Sequence, residues 1–211
     1  MSDLVKVVYA INMKKFKKPT FMQVFPWILV IGGVIGLIAS SVLTVEKINI
    51  AANPDFQPSC SLSPILACSP VIASPQASAF GFPNPFLGLA GFGMVITVGM
   101  MLFAGASKLK KWFWLCFQLG TVFGILFVAW LIYQSLYEIG KLCLYCMAVW
   151  TITIPVFWTT LAYNLKEETI RLPKRSNNFV RDNSGKLIAL TYVVVLTLIL
   201  TRFSEYWYSL L

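Results

Sequence analysis

The chain has 211 residues, of which 58% are hydrophobic and 12% are charged, and its formal net charge is +9. Soluble domains usually carry about 25% charged residues, so this composition argues against a soluble domain and indicates a membrane protein. The sequence contains no histidine, which removes the commonest metal ligand and the commonest general base from consideration.

Five apolar segments approach the roughly 20 residues that a helix needs to cross a bilayer. In chain order they are 21–44, 85–106, 112–133, 142–163 and 187–203. The apolar run of the first segment is longer than the core of a signal peptide, which favours a retained membrane anchor. The second segment is rich in glycine, as membrane helices often are.

The basic residues predict the orientation of these spans, because cytoplasmic loops carry an excess of Lys and Arg. Basic residues cluster before the first span, between the second and third, and between the fourth and fifth; only Lys47, Lys141 and Arg202 fall on the other side. The predicted location is therefore the inner (plasma) membrane, with the N-terminus cytoplasmic and the C-terminus outside. The positive charge follows from this topology, and no nucleic-acid partner is expected.

The predicted fold class is an all-α integral membrane protein. Its core is a four-helix bundle, with a fifth transmembrane helix added and an outer-face loop or half-helix that caps the bundle. We divide the chain into a cytoplasmic basic tail (1–20), a four-span catalytic bundle (21–163) with an outer loop (45–84), a cytoplasmic basic loop (164–186), and a fifth transmembrane helix with a short outer tail (187–211).

The outer loop is interrupted by prolines and small polar residues, so it is not itself a span. It is nevertheless too apolar for an ordinary solvated loop, since it carries Ile65, Leu66, Val71, Ile72, Phe80 and Phe82. We expect it to lie on the membrane surface, over the outer end of the bundle.

The orientation was deduced from Lys and Arg alone, yet it places four of the five cysteines on the outer face. Cys60 and Cys68 lie in the outer loop, and Cys143 and Cys146 lie at the outer end of the fourth span. Paired cysteines form disulfides in such an oxidising compartment. Cys116 stands alone near the cytoplasmic end of the third span, where we expect a buried small apolar residue.

Three uses of the outer cysteines remain open from spacing alone. Two disulfides can brace an outer loop, although a bridge between Cys143 and Cys146 closes almost no loop and removes little chain entropy. A four-thiolate zinc site is disfavoured by the seven residues between Cys60 and Cys68, since zinc sites favour two to four. The third use is a redox relay.

The position of the Cys-x-x-Cys pair supports the redox relay. The fourth span runs from outside to inside, so Cys143 and Cys146 lie at a helix N-terminus, which stabilises a thiolate. Thiol–disulfide exchange between the two pairs would pass electrons inwards. The terminal acceptor has to be reachable from within the membrane, and a lipid-soluble quinone meets that requirement.

At these residues the chain resembles the vitamin K epoxide reductase family, in its bacterial, quinone-reducing branch. The shared features are Cys60-x7-Cys68, Ser74 six residues later, the stretch "SPQASAFGFPNPFLGL" at 74–89, and Cys143-x-x-Cys146 at the start of a late span. The resemblance covers roughly residues 20–163. It implies an enzyme that oxidises a thioredoxin-fold partner and reduces a quinone, menaquinone or ubiquinone, held in a four-helix bundle.

The resemblance also implies roles for individual residues. Cys60 and Cys68 would exchange with the partner, Cys68 would attack at Cys143, and Cys146 would be the thiolate beside the quinone. Ser74 and Asn84 would donate hydrogen bonds to the quinone carbonyls, or else act as cap or turn residues. Trp150 stands where vertebrate members carry Tyr, and it would stack on the quinone ring or pack. No metal site is implied.

Many bacterial members continue into a thioredoxin-like domain, whereas this chain ends at "SEYWYSLL". The expected partner is therefore a separate DsbA-like protein on the outer face, with electrons flowing from its thiols to the membrane quinone pool. Two alternatives stand beside this interpretation. One is a DsbB-like protein, disfavoured because its Cys-x-x-Cys comes in the first outer loop. The other is a non-enzymatic membrane scaffold or transport subunit braced by outer-face disulfides.

Glu46 and Lys47 follow one another at the end of the first span. We interpret them as a pair of residues on the protein surface rather than as a route for protons. No histidine is present to act as a base, so protons for the reaction are expected from thiols or water.

Overall fold

The computed structural model describes residues 21–53, 56–58, 60–61, 63–106, 109–170 and 173–208. Its α-helices in chain order are α1 (Phe21–Ala52), α2 (Cys68–Ala73), α3 (Pro85–Phe103), α4 (Lys111–Tyr133), α5 (Leu144–Lys166), α6 (Lys174–Arg202) and α7 (Ser204–Tyr208). A short 3-10 helix covers Pro75–Ser78, and a π-helical segment, Gln134–Ile139, continues α4. The described part of the chain contains no named strand.

Five of these helices, α1, α3, α4, α5 and α6, are long and apolar enough to cross a membrane. The predicted all-α membrane fold is thereby confirmed. Within the bundle α1 packs against α3 and α5, and α4 packs against α5. Helix α6 packs on the outside of α5, and most of its side chains remain exposed.

Small residues let α1 and α3 approach closely. A Cβ atom placed on Gly99 would lie 2.7 Å from Val30 Cγ2 and 3.1 Å from Val30 N, and one placed on Gly36 would lie 2.5 Å from the ring of Phe92. Glycine is common at such membrane helix interfaces, because close backbone contact supplies the van der Waals attraction that holds the helices together.

A buried polar connection joins the beginning of α4 to the end of α5. Asn164 Nδ2 donates to Gln118 Oε1 at 3.1 Å and to the Trp114 carbonyl at 3.4 Å. Gln118 Nε2 in turn donates to Thr121 Oγ1 at 3.1 Å. In an apolar environment these hydrogen bonds satisfy amide N–H groups that would otherwise be costly to bury.

Two helices extend beyond their predicted bounds. Helix α1 continues past the predicted end at residue 44 to Ala52, because its charged residues Glu46 and Lys47 meet the outer cap instead of water. Helix α6 begins at Lys174, inside the segment predicted as a basic loop. Apolarity marks only the part of a helix that lies within the membrane, so a polar helical extension does not appear in a hydropathy pattern. A local bend at Asn183 separates the polar and apolar parts of α6.

The predicted cap over the outer end is built from α2 and the 3-10 helix. The chain passes from the cap into α3 through Gly81 and the turn at Asn84. Gly81 has a φ of 82°, a backbone conformation that would be strained for a residue with a side chain. Cap residues Val71 and Ile72 pack with Leu43 of α1 in a buried cluster that also contains three cysteines, Cys60, Cys68 and Cys143. The cap therefore joins the loop cysteines to the core of the bundle.

Candidate active site

The outer loop is held against the segment that leads into α5. Ala67 N donates to the Leu142 carbonyl at 3.0 Å, and Leu142 N donates to the Ile65 carbonyl at 2.8 Å. Lys141 Nζ adds a hydrogen bond to the Pro64 carbonyl at 2.6 Å. Because Ala67 and Leu142 are bonded directly, the residues that follow them, Cys68 and Cys143, are brought side by side.

The sulfur atoms of both pairs meet at this point. Cys60 and Cys68 form a disulfide with their Cα atoms 5.7 Å apart. Cys68 Sγ lies 3.0 Å from Cys143 Sγ, and the sulfurs of Cys60, Cys68 and Cys143 all lie within 4.8 Å of one another. All three residues are buried. This arrangement brings together a disulfide and a third sulfur at a distance suited to thiol–disulfide exchange.

Cys143 is the residue that immediately precedes α5, and Cys146 lies in the first turn of that helix. A hydrogen bond from the Cys146 thiol lowers the pKa of the Cys143 thiol from its ordinary value; burial acts in the opposite direction, and the backbone N–H groups of Cys146 and Tyr145 add to the lowering. Cys143 is thus the sulfur whose environment favours the thiolate, the form that attacks disulfides.

A cavity of about 1010 Å³ opens beneath the cap, between α3 and α4. Among its lining residues that the structure describes, Cys146 is the only member of the two cysteine pairs. The three residues predicted to contact a quinone, Ser74, Asn84 and Trp150, also line it. The fold therefore brings one redox cysteine and three distant side chains to a single, mostly apolar space.

Helices α3 and α4 make little contact with each other, so the cavity lies in a gap between them. Glycines line this gap on both helices: Cβ atoms placed on Gly91, Gly93 or Gly120 would meet nothing within 4 Å. The open side faces outwards from α1 and α5, that is, towards the surroundings of the bundle. An apolar molecule dissolved in the bilayer would reach the cavity through this gap.

Ser74 and Asn84 both make hydrogen bonds within the cap. Ser74 Oγ donates to the Val71 carbonyl at 2.8 Å, which uses its one proton. Asn84 Nδ2 donates to the Gln76 carbonyl at 2.7 Å, and Asn84 Oδ1 accepts from Ala79 N at 3.0 Å. Both side chains therefore hold turns of the cap that forms the cavity wall, and their hydrogen bonds to a quinone stay a prediction.

Trp150 differs from these two residues. Its side chain is buried with 3% exposure, and its Nε1 has no hydrogen-bond partner among the described residues. An unpaired buried N–H is costly, and it fits a site whose ligand brings an acceptor oxygen. Trp150 follows Cys146 by four residues on α5, so both lie on one face of the helix. The residues present therefore fit a quinone, which carries carbonyl oxygens on an apolar ring.

Glu46 and Lys47 are two polar residues near the site whose position the sequence did not reveal. The interpretation of a surface pair is wrong: Glu46 is 5% exposed, and its Oε2 lies 4.0 Å from Cys60 Sγ. Lys47 lines the cavity, and its Nζ donates to the Ile72 carbonyl at 2.6 Å. The available signal was helical spacing, since Glu46 lies three residues from Leu43 and four from Ile50, both of which pack around the cysteine cluster.

The prediction for Cys116 is also wrong, because this residue is exposed instead of buried. The buried face of α4 near its beginning carries Trp114 and Gln118. A residue two positions from either of these lies on roughly the opposite side of a helix. Cys116 therefore faces away from the buried contacts of α4, and it lines the cavity at the end of α4 opposite to the cysteine cluster.

A sequence model described as the vitamin K epoxide reductase family matches residues 27–161. The matched range begins in α1 and ends in α5, and it includes the outer loop, the cap and both cysteine pairs. No curated protein matches the chain.

Proposed function

The chain belongs to the vitamin K epoxide reductase family, and we propose that it is a thiol:quinone oxidoreductase that supports disulfide formation outside the cytoplasm. Membership makes it a multi-pass membrane oxidoreductase that acts through cysteine pairs, in a family that uses quinone substrates. The proposal adds the direction of electron flow, the order of the cysteines and the electron donor.

The observation that carries the proposal is the position of Cys146. One pair forms a disulfide 3.0 Å from Cys143, and Cys146, the partner of Cys143 in the second pair, lines the large cavity. The four cysteines thus form a connected series from the cap to the cavity. A disulfide that only braced a loop would not need a second, unbonded pair in contact with it.

We order the steps as two successive exchanges. Reduction of the Cys60–Cys68 disulfide by a partner dithiol leaves two thiols in the cap. Cys68 then attacks Cys143 of an inner Cys143–Cys146 disulfide, and Cys60 displaces Cys143 from Cys68. This re-forms the outer disulfide and leaves Cys143 and Cys146 reduced, which is the state of the structure.

The inner dithiol then passes two electrons and two protons to the quinone and closes as a disulfide. The quinone, a menaquinone or a ubiquinone, supplies an electron acceptor that diffuses within the bilayer. Trp150 Nε1 would donate to one of its carbonyl oxygens, and the cap residues Ser74 and Asn84 would keep the outer side of the cavity closed to water. Lys47, also at the cavity, favours the negative charge that develops on the quinone as it is reduced.

We propose a thioredoxin-fold, DsbA-like protein on the outer face as the electron donor. Proteins of this kind are strong oxidants, with potentials of about −120 mV, and quinone keeps that system oxidised. Electrons therefore flow from the partner to the quinone. The topology that this requires has the cap outside and the segment between α5 and α6 in the cytoplasm.

The test is quinone reduction by purified, dithiol-reduced protein, followed by ultraviolet absorbance with short-chain menaquinone and ubiquinone. We expect stoichiometric reduction by the wild type and none by Cys146→Ser. Alkylation of Cys146→Ser before the dithiol treatment should still detect a Cys60–Cys68 disulfide. Cys116→Ser, which removes a thiol that lines the cavity at the end of α4 opposite to the cysteine cluster, is the control and should still reduce quinone. Turnover in Cys146→Ser would contradict the assigned order. No reduction by the wild type with either quinone would favour the disulfide-braced scaffold.

A further inference from the structure

We propose that Glu46 is a catalytic residue that accepts the proton of Cys60 when Cys60 closes the outer disulfide. The inference rests on the proposed order of thiol exchange and adds a base to it. It starts from the one acidic side chain that the described residues bring to the cysteine cluster within 4.0 Å of a reacting sulfur, Glu46 Oε2 to Cys60 Sγ.

Glu46 is buried at a position where an apolar residue would be more stable. A carboxylate with 5% exposure is expensive to remove from water, and an apolar residue on this face of α1 would pack with Leu43 and Ile50 at no such cost. Glu46 Oε2 faces Cys60 Sγ, and the sulfurs of Cys60, Cys68 and Cys143 lie within 4.8 Å of one another, so the carboxyl group lies beside the point where the two pairs meet. An acidic side chain buried beside reactive groups is a candidate functional residue.

The chemistry at Cys60 needs a base. In the disulfide Cys60 carries no proton, but in the reduced protein its thiol has to become a thiolate before it can attack. With no histidine in the chain, a carboxylate in contact with this sulfur is the available acceptor. Cys60 is 3% exposed, which restricts direct loss of its proton to bulk water.

When the outer disulfide closes, the Cys60 thiol gives its proton to the Glu46 carboxylate, and the Cys60 thiolate attacks Cys68 in the Cys68–Cys143 mixed disulfide. The Cys60–Cys68 bond forms while the Cys68–Cys143 bond breaks, and the electron pair leaves on Cys143. Cys60 and Cys68 are thereby oxidised, and the inner pair is reduced.

The closure of the outer disulfide can be measured separately from the other steps by mixing fully reduced protein with excess quinone. The first equivalent of quinone is consumed by Cys143 and Cys146 and does not involve Cys60. The second equivalent requires electrons from the outer pair, and therefore the closure by Cys60. We compare Glu46→Gln with wild type, and use Glu138→Gln, which changes an exposed acid outside the cluster, as the matched control.

In Glu46→Gln we expect the first phase to be unchanged and the second phase to slow by about 100-fold at neutral pH, within the range for loss of a general base. Quenching with an alkylating reagent should show the Cys68–Cys143 mixed disulfide accumulating, because its resolution is the step that slows. Glu138→Gln should show two phases like those of wild type. An intact first phase shows that the variant is folded.

The pH profile distinguishes a base from a structural residue. The titratable and charged groups facing this centre are Glu46 and Lys47 from α1, the cluster cysteines, and Tyr145 from α5. Without the carboxylate, the second phase should accelerate about tenfold per pH unit as long as the Cys60 thiol is mostly protonated, because water and hydroxide then take over its deprotonation. In the wild type, the rate of the second phase should depend less steeply on pH.

Two outcomes would overturn the inference: a second phase in Glu46→Gln as fast as that of wild type, or a defect of the same size at every pH without mixed disulfide. Failure of the proposed function has a different signature. If the wild type consumes no quinone even in the first phase, the relay itself is absent, whatever Glu46 does.

Discussion

At the scale of single residues, the site combines side chains that are hydrogen-bonded within the cap with one that has no partner among the described residues. Ser74 and Asn84 donate to carbonyl groups of the cap, whereas Trp150 Nε1 is buried without a hydrogen-bond partner in the described part of the chain. Hydrogen bonds within the cap shape the cavity wall, while an unpaired donor provides a specific contact for a ligand. Trp150 is therefore the residue whose polar atom we expect to matter most for binding.

Trp150→Phe tests this expectation, since it retains an aromatic ring and removes the N–H together with part of the ring volume. We expect kcat/KM for the quinone to fall about tenfold, the value of one lost hydrogen bond of roughly 1.4 kcal/mol. Thermal stability is not the readout, because loss of the unpaired donor raises it while loss of buried ring volume lowers it. Trp158→Phe, whose Nε1 instead donates to Thr191 Oγ1 at 3.1 Å, is the control and should leave quinone kinetics unaltered. Equal kinetics in Trp150→Phe and wild type would exclude a hydrogen bond to the quinone.

At the scale of helices, the two sides of α3 have different roles. One side approaches α1 at Gly99, where an added Cβ would contact Val30, and the other side faces the gap to α4 at Gly93, where an added Cβ meets nothing. The first kind of glycine permits helix packing and the second leaves space. The same residue type thus holds the bundle together and keeps the cavity open.

Alanine substitutions separate these two roles. Gly99→Ala should destabilise the protein by about 1–3 kcal/mol, because the new methyl group forces α1 and α3 apart. Gly93→Ala lies on the same helix and is the matched control; it should be neutral or slightly stabilising, since Ala favours the helix. Thermal unfolding in detergent measures both. A Gly99→Ala variant as stable as Gly93→Ala would mean that the α1–α3 contact is less tight than the structure shows.

At the scale of the whole molecule, the proposed reaction requires the cap and the polar start of α6 to lie on opposite sides of the membrane. The positive-inside rule predicts the cap outside, where a disulfide-forming partner could reach it. This orientation is a prediction, since five apolar helices are compatible with either direction of insertion.

Two exposed positions test the orientation in intact cells with a membrane-impermeant maleimide. Ala79→Cys, in the cap, should react from outside, and Asn178→Cys, in the polar part of α6, should react only after the membrane is permeabilised. The unsubstituted chain measures the background from the native cysteines. Labelling of Asn178→Cys alone in intact cells would reverse the topology and place the cysteine cluster in the cytoplasm, which the proposed function does not allow.

Hydropathy and residue spacing are local properties, and by themselves they determined the five membrane helices, the position of the cap and the two cysteine pairs. They did not predict that α1 ends at Ala52 or that α6 begins at Lys174. A polar helical turn that is held by tertiary contacts, or that extends beyond the membrane, has no apolar pattern. Only the tertiary structure decided which side chains meet. A hydrogen-bonded contact between Ala67 and Leu142 brings Cys68 to Cys143, and the packing of α1 against the cap turns Glu46 towards Cys60. These contacts join residues that are remote in the chain, and their partners are selected by the three-dimensional packing of helices rather than by any periodicity within one segment.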